Sequence, residues 1–371
     1  MTYRQITRYG SHGGDPRIAD RLTPDAVLFR YPDGAAYRWR HVTAFSALDD
    51  LIKGRTEQLR TFAQWTRDVG GNGWRVFGNW SRLGLDASVT PMYLGWLEAL
   101  CRVTRAERLR LQFVAICDYL PSALAPAVFL EDCARVLRSY PHVFLSVANE
   151  PYKNLAGGSD AAQTIPLPSG VLCDRGAAGD IALMPNGAAH TVYHTPRDDE
   201  WYRKGKDLYE IRTGSPGTHG PVEDDEPIGA AEVAISGRRD NNPDRFAWGG
   251  ATRAQFGSGA TFHGDSNTLQ LCTVPGPTED ACARAFFAAM DAVPLEAANW
   301  RYGRYGEGAP ATPHVIADDP GAVRVYEMSS DRAAVVVVCQ PSTAWAGPVP
   351  VNGWRVVQTD GPRESIVVCE K

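Results

Sequence analysis

The chain has 371 residues with 43 acidic and 38 basic side chains, so its formal net charge is −5. This mild acidity argues against a nucleic-acid-binding protein, which usually carries a basic surface and a high isoelectric point. Hydrophobic residues make up 44% and charged residues 22% of the chain, proportions typical of a globular protein rather than a disordered one. No run of about 18 apolar residues is present, so no membrane-spanning helix is expected.

The cysteines and the first residues both bear on the cellular compartment. The sequence MTYRQITRYGSHGG contains no apolar core of the kind that a secretory signal peptide requires. None of the eight cysteines forms a Cys-x-x-Cys pair, and most lie in apolar runs such as QFVAICDYL. We therefore expect buried thiols in a cytoplasmic protein, and no structural zinc cluster.

An N-terminal arm of about 25 residues is followed by AVLFRYPDGAAYRWRHVTAF, which predicts two strands joined by a hairpin turn at Asp33-Gly34. Helices and strands alternate beyond this turn. Apolar residues at helical spacing, with Gly or Pro after several of the segments, predict the helices. They cover residues 56–71, 90–107, 124–141, 200–214 and 278–293.

Eight strands are predicted from the second half of the hairpin onward, over residues 38–45, 74–79, 110–118, 142–149, 171–175, 190–194, 220–226 and 259–264. This repeat of strand and helix predicts an α/β fold, a (β/α)8 TIM barrel, within residues 1–305 together with the arm and the hairpin. After about residue 305 the pattern changes to short apolar or alternating strands separated by turns. Residues 306–371 are therefore predicted to form a small C-terminal antiparallel β domain.

In such a barrel, chemistry lies at the C-terminal ends of the strands. The residues found there are Arg75 and Trp80 on strand two, Asn149 and Glu150 on strand four, His194 on strand six, Glu226 on strand seven and His263 on strand eight. Two carboxylates flanked by Asn, Arg and His are what glycosidic bond cleavage needs. One carboxyl group protonates the leaving oxygen and the other attacks the anomeric carbon.

The strand HVFLSVANEP and the segment THGPVEDDEPIGA resemble the catalytic sequences of clan A glycoside hydrolases. In that clan an Asn-Glu pair ends strand four and a second Glu ends strand seven. The resemblance covers most of residues 30–300 and implies that Glu150 is the acid/base, Glu226 the nucleophile and Asn149 a contact of the sugar 2-hydroxyl. Arg75 would be the strand-two arginine of the clan.

The implied activity is retaining hydrolysis of the O-glycosidic bonds of an oligosaccharide, polysaccharide or simple glycoside, with no metal and no organic cofactor. Substrate-binding roles are expected for Arg75, Asn149, His194, His263 and Trp80. We also expect burial and the charge of Glu226 to raise the pKa of Glu150 and so keep it protonated for its role as acid.

Several alternatives remain open at this point. Because successive strand residues face opposite sides, only one of Tyr193 and His194 can point inward. Glu223 is a rival nucleophile, since an acidic run surrounds Glu226. Trp201 and Trp248 are either core residues or sugar platforms, and where the clan often has a Trp on strand eight this chain has Phe262 and His263.

The sequence is also compatible with two other functions. One is a catalytically silent carbohydrate-binding barrel, although both glutamates are present. The other is a metal-dependent barrel hydrolase that would use His190, His194 and His263.

Overall fold

Three short strands near the start of the described residues form an antiparallel sheet: β1 (Thr23–Pro24), β2 (Phe29–Arg30) and β3 (Ala36–Tyr37). The predicted hairpin is confirmed, since Phe29 pairs with Tyr37 and the turn between them contains Gly34 at φ +85°. Glycine adopts this left-handed backbone conformation without steric cost. The structure is a computed structural model. It describes residues 13–25, 28–78, 90–117, 120, 124–176, 188–199, 201–203, 208, 211, 220–230, 238–256, 258–264, 271–292, 301–302, 328–329, 333–337, 355–360 and 366–370.

Eight parallel strands then form the centre of the described part of the chain. They are β4 (Trp39–Thr43), β5 (Gly73–Phe77), β6 (Arg110–Ile116), β7 (Val143–Ala148), β8 (Leu172–Asp174), β9 (Thr191–Tyr193), β10 (Val222–Asp224) and β11 (Gly259–Phe262). Their spatial order is β8-β7-β6-β5-β4-β11-β10-β9. The Ala189 amide, just before β9, donates a 3.1 Å hydrogen bond to the Cys173 carbonyl of β8, so the two edge strands approach each other. The predicted (β/α)8 barrel is confirmed.

The helices of the described residues are α1 (Ala47–Ile52), α2 (Thr56–Asp68), α3 (Thr90–Ala106), α4 (Pro126–Leu137), α5 (Pro151–Asn154), α6 (Gly158–Thr164), α7 (Pro243–Phe256) and α8 (Pro277–Ala292). Four of them, α2, α3, α4 and α8, coincide with predicted helices. The helix predicted over 200–214 is described only in part, with a 3-10 turn at Trp201–Arg203. Helix α7 and the short helices α1, α5 and α6 are absent from the prediction.

The strands divide their side chains between two environments, as alternation requires. Outward positions join the hydrophobic core between barrel and helices, among them Val42, Trp74, Leu111, Leu145, Val222 and Phe262. Inward positions are largely polar, among them His41, Arg75, Gln112, Ser146, Asp174, Glu223 and Thr261. A second apolar cluster of Leu22, Phe29, Tyr37, Trp39 and Phe144 joins the N-terminal sheet to the first residues of β4 and β7. The polar interior is therefore closed by apolar packing at the N-terminal ends of the strands.

The last part of the chain forms separate antiparallel sheets. Strand β12 (Arg301–Tyr302) pairs with β13 (Met328–Ser329), and β14 (Ala333–Val337), β16 (Ile366–Glu370) and β15 (Arg355–Asp360) form a three-stranded sheet in that order. The predicted antiparallel C-terminal sheet is thus confirmed. The division at residue 305/306 stays a prediction, since β12 precedes it and its partner follows it. Within the described residues, no helix is long and apolar enough to cross a bilayer.

Candidate active site

Polar side chains from four strands meet at the C-terminal end of the barrel. Arg75, inward on β5 and 1% exposed, donates a 2.8 Å hydrogen bond from Nη2 to Oδ1 of Asn149, the residue after β7. Its Nε lies 2.7 Å from Oδ2 of Asp225, the residue after β10. Strand pairing in parallel register brings these ends to one rim, as the sequence analysis expects for Arg75 and Asn149.

Glu226 lies beside Asp225 at this rim and is surrounded by cationic groups. Its Oε2 is 3.3 Å from Nδ1 of His194, and its Oε1 is 3.6 Å from Nη2 of Arg197 and 3.9 Å from Nη1 of Arg75. The residue is 8% exposed. These positively charged groups offset part of the cost of burying a carboxylate in this position.

Glu150 lies at the start of α5 in an unusual backbone conformation. Its φ of 42° and ψ of 67° place it in the left-handed region, which residues other than glycine seldom adopt. Oε1 accepts hydrogen bonds from the Tyr152 hydroxyl at 2.7 Å and from Nζ of Lys153 at 2.9 Å. The same oxygen is 3.9 Å from Nδ1 of His194. Both predicted carboxylates therefore approach one nitrogen of one imidazole.

The expectation that the pKa of Glu150 is raised is wrong. Burial does act to raise it, but the hydrogen bonds from Lys153 and Tyr152 and the charge of His194 outweigh burial and lower the pKa of Glu150. The reason lies in α5, which begins at Pro151 and brings the ammonium group of Lys153 back over the carboxylate three residues earlier.

His194, not Tyr193, is the inward residue at the end of β9. Tyr193 is 2% exposed and packs in the hydrophobic core outside the barrel. Nε2 of His194 lies 2.8 Å from Oδ1 of Asp225, on the side opposite to Glu226 and Glu150. Burial acts to lower the pKa of His194, but the charges of Asp225 and Glu226 outweigh it and raise the pKa. The carboxylates around the imidazole therefore favour its protonated form.

Asp225 also belongs to this group of residues, although it is not among the site residues predicted from the sequence. It is fully buried, and it also accepts a 3.4 Å hydrogen bond from Nε2 of Gln112 on β6. Burial acts to raise its pKa, yet Arg75 and His194 lower it. The sequence signal was strand alternation. Glu223 and Asp225 are two residues apart, so their side chains face the same side, toward the barrel interior.

The rival nucleophile Glu223 lies deeper in the barrel. Its Oε1 is 3.1 Å from Nε2 of His190, which is also 3.3 Å from Oδ2 of Asp174. Ser146 donates a 2.6 Å hydrogen bond to the other oxygen of Asp174. Burial raises the pKa of Glu223 to about 8, so the group is mainly neutral at neutral pH.

Asp224 faces away from this interior. Its Oδ2 is 2.6 Å from Nε of Arg253 on α7 and also accepts a hydrogen bond from the Thr195 hydroxyl. Both ionic side chains of this pair are fully buried. Asp224 thus connects strand β10 to helix α7 through this ion pair, and its side chain points away from the rim.

The remaining residues predicted from the sequence lie in different environments or outside the described residues. His263 is buried near Phe45, with ring centroids 5.5 Å apart, and burial followed by the charges of Arg197, Arg75 and His194 lowers its pKa well below the usual value. Trp80 lies outside the described residues. Trp201 is fully buried and donates a hydrogen bond to Asp240, so it is a core residue; the side chain of Trp248 is not described.

The described residues do not form the metal site of the alternative hypothesis. Among them, no group of three or more His, Cys, Asp and Glu side chains is arranged to hold a metal ion. His190 faces Glu223 and Asp174. Burial acts to lower the pKa of His190, but its interactions with Asp174 and Glu223 outweigh burial and raise the pKa to about 10. A metal ligand must be a neutral imidazole, which this environment disfavours.

Comparison with known proteins identifies the fold. The sequence matches no protein-family profile and no curated protein. A glycoside hydrolase family 5 structure from Bacteroides vulgatus is 12% identical with a TM-score of 0.58, and the alignment covers 96% of this chain and 94% of that chain. GH5_18 from Streptomyces cattleya, in complex with GlcNAc, is 13% identical with a TM-score of 0.51, covering 69% and 80%.

A third structure, described as a glycoside hydrolase, is 11% identical with a TM-score of 0.57 and coverage of 87% and 84%. At such identities the likeness concerns the fold alone. The chain shares its barrel with glycoside hydrolases, several of them of family 5.

Proposed function

We propose that the protein is a clan A glycoside hydrolase that cleaves O-glycosidic bonds with retention of configuration. One observation carries the proposal: Glu150 and Glu226 follow strands four and seven of the barrel, and both lie within 4 Å of Nδ1 of His194, at 3.9 and 3.3 Å. A pair of carboxyl groups facing one small space at the barrel rim is the arrangement that glycoside hydrolysis requires.

The two glutamates have complementary roles in this mechanism. The carboxylate of Glu226 attacks the anomeric carbon while the carboxyl group of Glu150 gives its proton to the leaving oxygen, and a glycosyl-enzyme ester forms. Glu150 then removes a proton from water, which attacks the anomeric carbon and releases Glu226. Neither step uses a metal or an organic cofactor.

The neighbours of the pair support substrate binding. Because Oδ1 of Asn149 accepts the hydrogen bond from Arg75, the amide nitrogen of Asn149 is left to donate to a sugar hydroxyl. Arg75 and His194 place positive charge close to the attacking carboxylate and orient it. The substrate is an oligosaccharide, a polysaccharide or a simple glycoside in this proposal, and Trp80 and His263 remain candidates for sugar contacts.

The nucleophile can be tested by covalent labelling. We expect a 2-fluoro-glycoside inactivator to label the peptide that contains Glu226, and Glu226→Gln to abolish turnover, because the amide cannot form the ester. Labelling of Glu223, or full activity in the Glu226 variant, would overturn the assignment. A product with inverted configuration would exclude the covalent intermediate and leave Glu226 as a base for water.

The acid/base can be tested with two kinds of substrate. Glu150→Gln should lose activity on unactivated substrates by a factor on the order of 10²–10⁴, because the leaving oxygen receives no proton. An aryl glycoside with a good leaving group should still glycosylate Glu226, and azide should then restore turnover. Equal losses on both substrates without azide rescue would contradict this role.

A second candidate is a carbohydrate-binding barrel without turnover. The pair of Lys153 and Glu150 favours it, since a carboxylate held by an ammonium group is a poor proton donor. Glycan binding by the wild-type protein without release of any product from aryl glycosides or polysaccharides would identify this function.

The buried thiols support a location in a reducing compartment. Cys101, Cys133, Cys173 and Cys282 are buried free thiols, and burial raises the pKa of Cys173 and of Cys282 to about 12. Such thiols are protonated and unreactive. We propose a cytoplasmic location; a fall in melting temperature by several degrees in mild reductant would contradict it.

A further inference from the structure

We propose that Asp225 is a positioning residue of the active site: it anchors Arg75 and His194 side by side and directs Nδ1 of His194 toward Glu226 and Glu150. This inference rests on the proposed function, because its consequence for activity requires that the two glutamates carry the chemistry. It concerns a residue that makes no contact with the reacting atoms in the proposed mechanism.

Asp225 lies closer than Glu226 to both cationic side chains, Arg75 and His194. One carboxylate oxygen lies 2.7 Å from Nε of Arg75 and the other 2.8 Å from Nε2 of His194. The distances from the same cations to Glu226 are longer, at 3.9 Å from Arg75 and 3.3 Å from His194. Asp225 is therefore the principal partner of both cations, and Glu226 approaches groups that Asp225 already holds.

These groups are buried away from solvent. Asp225 is fully buried and Arg75 is 1% exposed, so neither has water as an alternative partner. Gln112 on β6 donates a hydrogen bond to Asp225, which is the third contact of this carboxylate. Side chains from β5, β6 and the residue after β9 thus converge on one carboxylate. This convergence explains why an aspartate directly follows β10 and precedes the proposed nucleophile.

The two nitrogens of His194 have separate partners. A neutral imidazole carries one N–H and a protonated imidazole carries two. The shorter distance to Asp225 favours the proton on Nε2, and a second proton on Nδ1 then points to Glu226 and Glu150. Without the charge of Asp225, the imidazole loses its closest carboxylate and the reason for this orientation.

Several charged groups of the described residues act on the protonation of His194. Asp225 and Glu226 face it from the end of β10, Glu150 from the end of β7, and Arg75 from β5. The charge of His194 also acts to lower the pKa of His263, the residue after β11. Asp225 is the closest carboxylate of this set, so its removal should have the largest effect on the protonation of His194.

The test replaces Asp225 by Asn, which keeps the shape and removes the charge. We expect kcat/KM to fall on the order of 10²-fold, because the groups beside the nucleophile lose their alignment. The proton of His194, followed by nitrogen NMR and assigned from the signal that His194→Gln removes, should be lost at a lower pH than in the wild type.

Glu223→Gln is the matched control. It changes the preceding inward carboxyl group on the same strand, and that group contacts His190 rather than the rim. We expect this variant to leave the titration of His194 unchanged. Equal effects of the two variants, or an unchanged His194 titration in Asp225→Asn, would overturn the proposal.

One measurement needs no folded variant of Asp225. In the wild-type protein, the neutral form of His194 should carry its proton on Nε2, and a proton on Nδ1 would contradict the inference. If the wild type hydrolyses no glycoside, the proposed function fails, whereas the protonation of His194 still reports whether Asp225 holds it.

Discussion

Glu150 lies between two cationic groups, with Nζ of Lys153 at 2.9 Å and Nδ1 of His194 at 3.9 Å. We predict that Lys153→Met raises the pKa of Glu150, because it removes the nearer positive charge. As a result, kcat/KM should decline at a higher pH in the variant than in the wild type, since this parameter follows the ionisation of the free enzyme. The shift should be modest, because the Lys153 side chain is 55% exposed and solvent screens its charge.

Lys53→Met provides the control for this experiment. Lys53 is similarly exposed, at 52%, and forms a comparable 2.9 Å pair with Asp49 on α1, which contributes no residue to the rim. Its replacement should leave the pH profile unchanged. A Lys153 variant with the profile of the wild type, or with an earlier alkaline decline, would contradict the account of the Glu150 pKa.

The sequence predicted which residues reach the rim better than it predicted their charge states. Asn149, Glu150, His194 and Glu226 follow the last residues of their strands, and Arg75 lies two residues before the end of β5, because the alternation of apolar and polar residues defines those strands. Asp225 was overlooked because β10 ends at Asp224, two residues earlier than predicted. The pKa of Glu150 depends on the contacts that helix α5 creates, and four residues are too short a segment for a periodic signal.

At the scale of elements, α7 shows how packing overrides local preference. Residues 243–256 contain Gly249-Gly250, which normally argues against a helix, yet the segment is helical and packs against α8. A Cβ atom at Gly250 would lie 2.2 Å from the Phe286 carbonyl oxygen of α8. The glycines therefore permit a close approach of the two helices, a reason that becomes visible only when both helices are in place.

We predict that Gly250→Ala destabilises the protein by about 1–3 kcal/mol, even though alanine is the better helix former, because the backbone of α8 must move. Gly95→Ala on α3 is the matched control, since no atom lies within 4 Å of its added Cβ. That variant should stabilise the protein by about 0.8–1 kcal/mol. Chemical unfolding of both variants measures the difference, and stabilisation by both would refute the close contact.

At the scale of the whole molecule, the buried cluster of Glu223, His190 and Asp174 links stability to pH. Burial raises the pKa of Glu223 from 4.5 to about 8, so its contribution to stability declines as pH rises through this range. The carboxylates raise the pKa of His190 from 6.5 to about 10, so the stability it provides is also lost as pH rises. The sequence could not predict this cluster, because its members meet only when β8, β9 and β10 are in register.

We therefore predict that the melting temperature falls as pH is raised from mildly acidic toward alkaline values. Both groups act in the same direction, since each binds its proton more tightly in the folded than in the unfolded chain. Glu223→Gln should weaken this dependence, because the amide does not titrate. A melting temperature that rises over the same range in the wild type would contradict the assignment of a neutral Glu223 in the folded protein.

The left-handed backbone of Glu150 has a consequence for how this protein can change over evolutionary time. A residue other than glycine in such a conformation costs on the order of 1–3 kcal/mol, whereas Gly and Asn adopt it more readily. A mutation of Glu150 to either residue would relieve the strain and remove a half-buried carboxylate in one step. In the proposed mechanism such a change removes the proton donor, so we expect variants selected for stability alone to carry a substitution at this position.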